Sequence, residues 1–255
     1  MRSLLISLLI VVLVSLTPTY AGTINQGVKD NYPVRWTKNI KINSLGEIDS
    51  ILDNYVDEYA GKTHELTLIN DEGDEHKITT YRQYRDLQRK GYYPASNWDI
   101  LYQFRFVENC TSLELIKKAK SSKKSYIKDF NLTDNPLESL PPILDLINYG
   151  EEIEKAEEAI KQGKTWKEYD PTATFEIRDE HQIHIESQQI DIDSGNDIYI
   201  TLQAWGDFDN DTVEDVLVFV TYFIKGASYR SCEHGLLTRL EEGGRLVYLE
   251  NFTEN

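Results

Sequence analysis

The stretch that decides the fold is residues 197–220, DIYITLQAWGDFDNDTVEDVLVFV. It reads as a strand, a tight acidic loop and a second strand. Asp197 to Trp205 carries apolar residues at alternate positions (Ile198, Ile200, Leu202), the period of a strand with one buried face. Val216 to Val220 is continuously apolar, as a strand is when both of its faces are covered. Between them stand Asp207, Asp209, Asp211 and Asp215. Residues two apart in a tight loop can aim their carboxylates at one point, which a hard cation such as Ca²⁺ requires. The backbone carbonyl of Val213 is expected to join them, with Asp215 closing the shell directly or through water.

Outward from this stretch, the period of two persists in the C-terminal part. Thr172 to Ile177, Gln182 to Glu186 and Ile190 to Ile192 read as strands. Leu236 to Leu240 and Arg245 to Leu249 flank Glu241-Glu242-Gly243-Gly244 as a final hairpin. Toward the N-terminus the period approaches 3.6. Ser44 and Glu47 form a capping-box pattern before Ile48, Ile51, Leu52 and Tyr55. Tyr81 to Arg89 and a longer helix from Ser96 or Asn97 to Ile116 follow, and Glu151 to Gln162 is closed by Gly163. Residues 22–43 show no periodicity. One hairpin is expected in this half, with His64 to Ile69 and His76 to Tyr81 on either side of the turn Asn70 to Asp74. The expected fold is therefore α+β: a mainly helical N-terminal half, residues 22–171, packed on a C-terminal antiparallel sheet, residues 172–255, as one cooperative unit.

Residues 1–21 read as a secretory signal. Arg2 supplies the positive start, Leu4 to Leu16 the apolar run, and Thr19-Tyr20-Ala21 the small-residue cleavage site. A periplasmic or secreted location follows as an expectation. The formal net charge is −16, which disfavours a nucleic-acid groove or an anionic membrane surface. Only Cys110 and Cys232 are present. In an exported chain the expectation is a disulfide between them, worth about 4–5 kcal/mol by the chain-entropy model.

The acidic stretch resembles the calcium loop of FG-GAP repeats. Gly206, Asp207, Phe208, Asp209, Asp211 and Asp215 match that pattern, as do the aliphatic residues Val216 to Val218. Thr212 departs from it, standing where the pattern has Gly. The resemblance covers one loop and implies a bound Ca²⁺; it implies no propeller and no ligand role. An EF-hand is disfavoured, because Val218 stands where the bidentate Glu should be.

Other sites are weaker. His181 and His184 are three apart on a strand, so their rings leave opposite faces and do not share a metal. Ser231, Glu233 and His234 lack the Gly-x-Ser-x-Gly elbow of a nucleophile. Tyr229 and Arg230, in a polar link between two strands, suit protein recognition. The basic run Lys117 to Lys124 reads as a solvated helix end. With no catalytic constellation evident, the expected function is that of an exported, calcium-stabilised protein-binding module, such as an inhibitor or immunity factor for a secreted enzyme. The alternatives are a calcium-dependent hydrolase of envelope polymer and a structural adhesion module.

Overall fold

The computed structural model of the chain describes residues 20–24, 32–54, 65–128, 130–143, 153–187, 195–226 and 230–250. At its centre is an eight-stranded antiparallel sheet. Its main run comprises β6 (Thr174–Asp179), β7 (Gln182–Ser187), β8 (Asn196–Gly206), β9 (Asp215–Ile224), β10 (Arg230–Thr238) and β11 (Val247–Leu249). The other two strands are β1 (Tyr20–Ile24) and β2 (Val34–Thr37). Strand β8 is long enough to hold two partners on one edge. Its first half, Asn196 to Thr201, pairs with β7, and Ala204 and Trp205 pair with β2.

The change of partner coincides with a bulge. Leu202 faces Val218 and Ala204 faces Leu217 across β9, so Gln203 is the extra residue. Ile198, Ile200, Leu202 and Trp205 pack in one core, while Ala204 packs in the other. The first core is closed by residues drawn from 127–143 and 153–173, which include α4 (Pro136–Ser139), α5 (Ile153–Lys161) and α6 (Trp166–Tyr169). The second is closed by α1 (Ile48–Asp53), α2 (Tyr81–Gln88) and α3 (Asn97–Lys118). A small three-stranded sheet belongs to this second layer: β3 (Thr67–Ile69) between β4 (Glu75–Lys77) and β5 (Tyr93–Pro94).

Local signals explain the helix starts. Thr80 and Gln83 form a reciprocal capping box on α2. The Ser96 hydroxyl accepts from the Asp99 N–H at 3.2 Å and starts α3. Asp99 in turn accepts from the Thr67 N–H at 2.8 Å, which fixes β3 to the helix. Glu47 does not cap Ser44. It reaches back to the Asn43 N–H at 3.1 Å, and the expected helix opens with a 3₁₀ turn over Leu45–Glu47. Gly235 is required by a close approach, since a Cβ there would stand 2.2 Å from the Tyr248 ring that crosses the strand.

The expected helical N-terminal half is not what forms. Val34 and Trp36 are inward-facing residues of β2, which carries the N-terminal region into the central sheet. Residues 67–94 contribute three further strands, and residues 119–128 run as irregular backbone. The two expected regions therefore share one sheet rather than stacking as a helical half on a β half. The expected strand Ile190 to Ile192 and most of the signal segment lie outside the described residues. Among the described residues, no helix is long and apolar enough to cross a membrane.

Candidate metal loop and ligand cleft

The acidic loop joins β8 to β9, and Gly206 pairs with Asp215 at its base. Asp207 and Asp215 are buried, with exposures of 3% and 0%. Asp209 is half-buried. One carboxylate oxygen from each of Asp207, Asp209 and Asp215 lies within 4.8 Å of the other two. Backbone donors hold the outer oxygens: Thr212 N–H to Asp207 Oδ2 at 3.2 Å, Phe208 N–H to Asp215 Oδ2 at 3.1 Å, and Asp211 N–H to Asp209 Oδ1 at 3.0 Å. Asp207 Oδ1 and Asp215 Oδ1 are buried with no donor at hydrogen-bond geometry, the Thr238 hydroxyl being close enough only to draw the Asp215 pKa down a little. Asp211 stands outside this trio, and its Oδ1 accepts from the Val213 N–H at 2.6 Å. Val213 itself bridges to Lys124.

The charges in this loop oppose one another. Burial pushes the Asp215 carboxyl up to about 7, and Asp209 and Asp211 add repulsion. Burial also raises the Asp207 and Asp209 pKa values. A desolvated carboxylate oxygen with no donor is costly unless a cation meets it. Three converging carboxylates with two such oxygens form an acidic cluster able to hold a metal ion, and the all-oxygen donor set suits a hard one.

The surroundings hold the loop in shape. Segment 119–124 leaves α3 and runs alongside it. Asp207 and Lys120 exchange backbone hydrogen bonds of 2.9 and 3.0 Å, and Thr212 C=O accepts from the Lys123 and Lys124 N–H groups. The basic run is thus a backbone clasp on the loop as well as a helix end. Arg35 of β2 forms an ion pair with Glu214, which is fully buried, and its guanidinium lies 5.3 Å from the centre of the Trp205 ring.

A second group, His184, Glu186 and Asp197, also brings three ligand atoms together. A lysine already serves it. Lys225 pairs with Glu186 and lies 3.7 Å from Asp197, while His184 Nε2 stands 2.6 Å from the same carboxylate. His181 is buried in the preceding turn and does not join the group.

The disulfide expectation is overturned: Cys110 and Cys232 are free thiols. Cys110 faces the core from α3. Burial raises both thiol pKa values, that of Cys232 to about 12, so both stay protonated. The shared sheet, not a covalent bridge, joins the two regions. Ser231 and Glu233 leave one face of β10 and His234 leaves the other, so strand geometry keeps His234 from both. Glu233 accepts from the hydroxyls of Tyr222 and Tyr248, and His234 meets the Ser112 hydroxyl at 2.9 Å on the α3 side.

Tyr229 lies outside the described residues, and Arg230 opens β10 with its guanidinium 5.4 Å from the centre of the Phe223 ring. Arg230 stands at one end of a cleft that the sequence did not reveal. Over the outer half of β8 and β9, helix α3 stands away from the sheet. Two adjoining cavities of about 500 and 410 Å³ fill the gap and share Glu108, Phe219, Thr221 and Phe223 in their walls. Trp98 overhangs the second and is 72% exposed. Glu108 accepts from Gln203 Nε2 at 3.2 Å, and burial raises its pKa against the pull of Gln203 and Arg105. No local motif marks Glu108; only the pairing of α3 with the sheet brings it to this place. Comparison with models of known protein families, with characterised proteins and with solved structures finds no match to this chain.

Proposed function

We propose that this protein is an exported, calcium-stabilised binding module that recognises another protein. What supports this reading is the separation of metal loop and cleft along the same two strands. The acidic cluster sits where β8 ends and β9 begins, at Gly206 and Asp215. The cleft lies over the opposite halves, at Tyr199 to Thr201 and Phe219 to Phe223. A metal so placed braces the sheet and does not meet a ligand in the cleft, which argues against a hydrolase with Ca²⁺ beside its substrate. Ca²⁺ is the cation of choice because every donor is a hard oxygen, and millimolar affinity suffices outside the cytosol. Asp211, or water bound to it, and the Val213 carbonyl would complete the shell.

Export is compatible with the strand pairing. Removal of residues 1–21 takes Tyr20, paired with Thr37, and Ala21 from β1 and leaves Gly22, Thr23 and Ile24 paired with Trp36, Arg35 and Val34. The test joins calorimetry with affinity capture, using protein purified from the native envelope. Ca²⁺ is expected to release or absorb heat on binding, EGTA to lower Tm by several degrees, and the captured partner to be a protein. A Tm indifferent to EGTA would remove the calcium part, and turnover of envelope polymer would replace binding with catalysis.

A further inference from the structure

Resting on the reading that this is a protein-binding module, we infer that the cleft between α3 and the sheet is a recognition site for a basic side chain. Its occupant is a Lys or Arg carried on an extended segment of a partner protein, with the cationic group seated on Glu108.

Most charges in the cleft are already answered. Asp197 lies near Lys225 and is hydrogen-bonded to His184, and Lys225 also answers Glu186. Arg105 and Arg230 are exposed at the rim. Glu108 remains. Its one side-chain hydrogen bond comes from the neutral amide of Gln203; Arg105, one turn back on α3, draws on it from the rim, and among the described residues no cation stands within ion-pair distance of it. A carboxylate partly drawn out of water and held in no ion pair is unfavourable, and a ligand cation placed there lowers the penalty. The rings around it suit the same ligand. Phe219 lines the sheet wall beside Phe223, whose ring already carries the Arg230 guanidinium, and Phe104 and Trp98 line the helix wall. Aromatic faces attract ammonium and guanidinium groups, most strongly where water is excluded. The chain as a whole carries a net charge of −16, so a cationic partner is also steered toward it.

The shape selects the carrier. Glu108 lines both cavities, of about 500 and 410 Å³, and each far exceeds the head of one amine. A ligand that fills both continues beyond its cationic group in two directions, as a polypeptide does. Thr201, Thr221 and Gln182 offer hydrogen-bonding groups along that path.

The test uses the full mature chain with calcium present and three blocked probes. These are a hexapeptide of Gly and Ser with one central Arg, the same peptide with Gln in its place, and N-acetyl-arginine amide. Binding is followed by tryptophan fluorescence and calorimetry. The Arg peptide is expected to bind at least about tenfold more tightly than the other two, a difference of about 1.4 kcal/mol. Glu108→Gln, which retains an acceptor for Gln203, should remove that preference. Glu72→Gln, an equal change of charge on an exposed turn, should not. Trp98→Ala, at a surface position where folding is not at stake, should weaken the Arg peptide several-fold. Equal binding by wild type and Glu108→Gln, or by the Arg and Gln peptides, would overturn the inference. So would N-acetyl-arginine amide binding as tightly as the peptide, since the site would then be one for a free amine. A captured partner that binds wild type, Glu108→Gln and Trp98→Ala alike would sink the cleft assignment and leave the binding-module reading standing.

Discussion

Thr212 holds a backbone φ of 74°, in the left-handed region that a β-branched residue rarely enters. It does so because its N–H must reach Asp207 and its C=O must receive Lys123 and Lys124. Thr212→Gly keeps both backbone contacts and relieves the strain. Glycine's greater freedom in the unfolded chain offsets part of the gain, so a net stabilisation of about 1 kcal/mol is expected. Tm should rise with and without calcium, and a fall in Tm would contradict the strain argument. Asp215 makes a second residue-scale prediction. Its folded pKa is raised from 3.8 to about 7, so folding favours its protonated form. The stabilising contribution of that proton is full below about pH 4 and is lost as pH rises toward 7, a loss on the order of 4 kcal/mol. Metal-free wild type should therefore lose stability across this window. Asp215→Asn should flatten the loss and abolish the response to Ca²⁺. Stabilisation by Ca²⁺ that survives the Asp215→Asn substitution would exclude Asp215 as a ligand.

Strand β2 is four residues long, and its weight in the structure exceeds its length. Arg35 is the cation for Glu214, which has no exposure to water and stands beside Asp215 in the loop. Removing one member of a buried pair strands the other, so Arg35→Ala should cost about 3–5 kcal/mol. Adding Glu214→Gln should recover part of it, and denaturant melts of the single and double variants measure the difference. A loss in Arg35→Ala that Glu214→Gln does not relieve would point to the packing of Arg35 on Trp205 instead. The same strand marks the limit of what the sequence discloses. Val34-Arg35-Trp36 alternates only once, too short a run for a period of two to stand out. The helices α2 and α3 are legible because Thr80 and Ser96 are local capping signals, and the acidic loop because its spacing is itself the geometry. The bulge at Gln203 left a trace, since the apolar phase of Ile198, Ile200 and Leu202 shifts by one before Trp205. The cleft left none. Glu108 and Phe219 are brought together by tertiary packing, which also decides the fate of the two cysteines whose expected bond is absent.

At the scale of the whole molecule, the sheet serves as wall to two cores at once. Leu202, Val216 and Val218 point into the core that contains Trp166 and Trp205, while Ala204, Leu217 and Leu236 point into the one that contains Trp36. Adjacent residues of the same strands therefore serve opposite layers, and neither layer can melt while the other keeps the sheet intact. This predicts one unfolding transition, with tryptophan fluorescence, far-ultraviolet circular dichroism and calorimetric enthalpy in agreement. Cys110 supplies an independent clock. It is 3% exposed on the inner face of α3 and its thiol is protonated, so a maleimide should reach it only through the globally unfolded state. Its labelling free energy should equal that from the melt and should rise with calcium by the same amount. If Cys110 labels faster than the melt allows, the α3 layer opens by itself and the two cores are separate cooperative units. Calcium dependence of that labelling is the more searching observation, because the thiol and the metal loop are joined only through α3, the 119–124 clasp and the sheet. A calcium effect of equal size at both would make the loop a brace for the whole molecule, whereas one confined to the melt's later portion would restrict it to the β8–β9 corner.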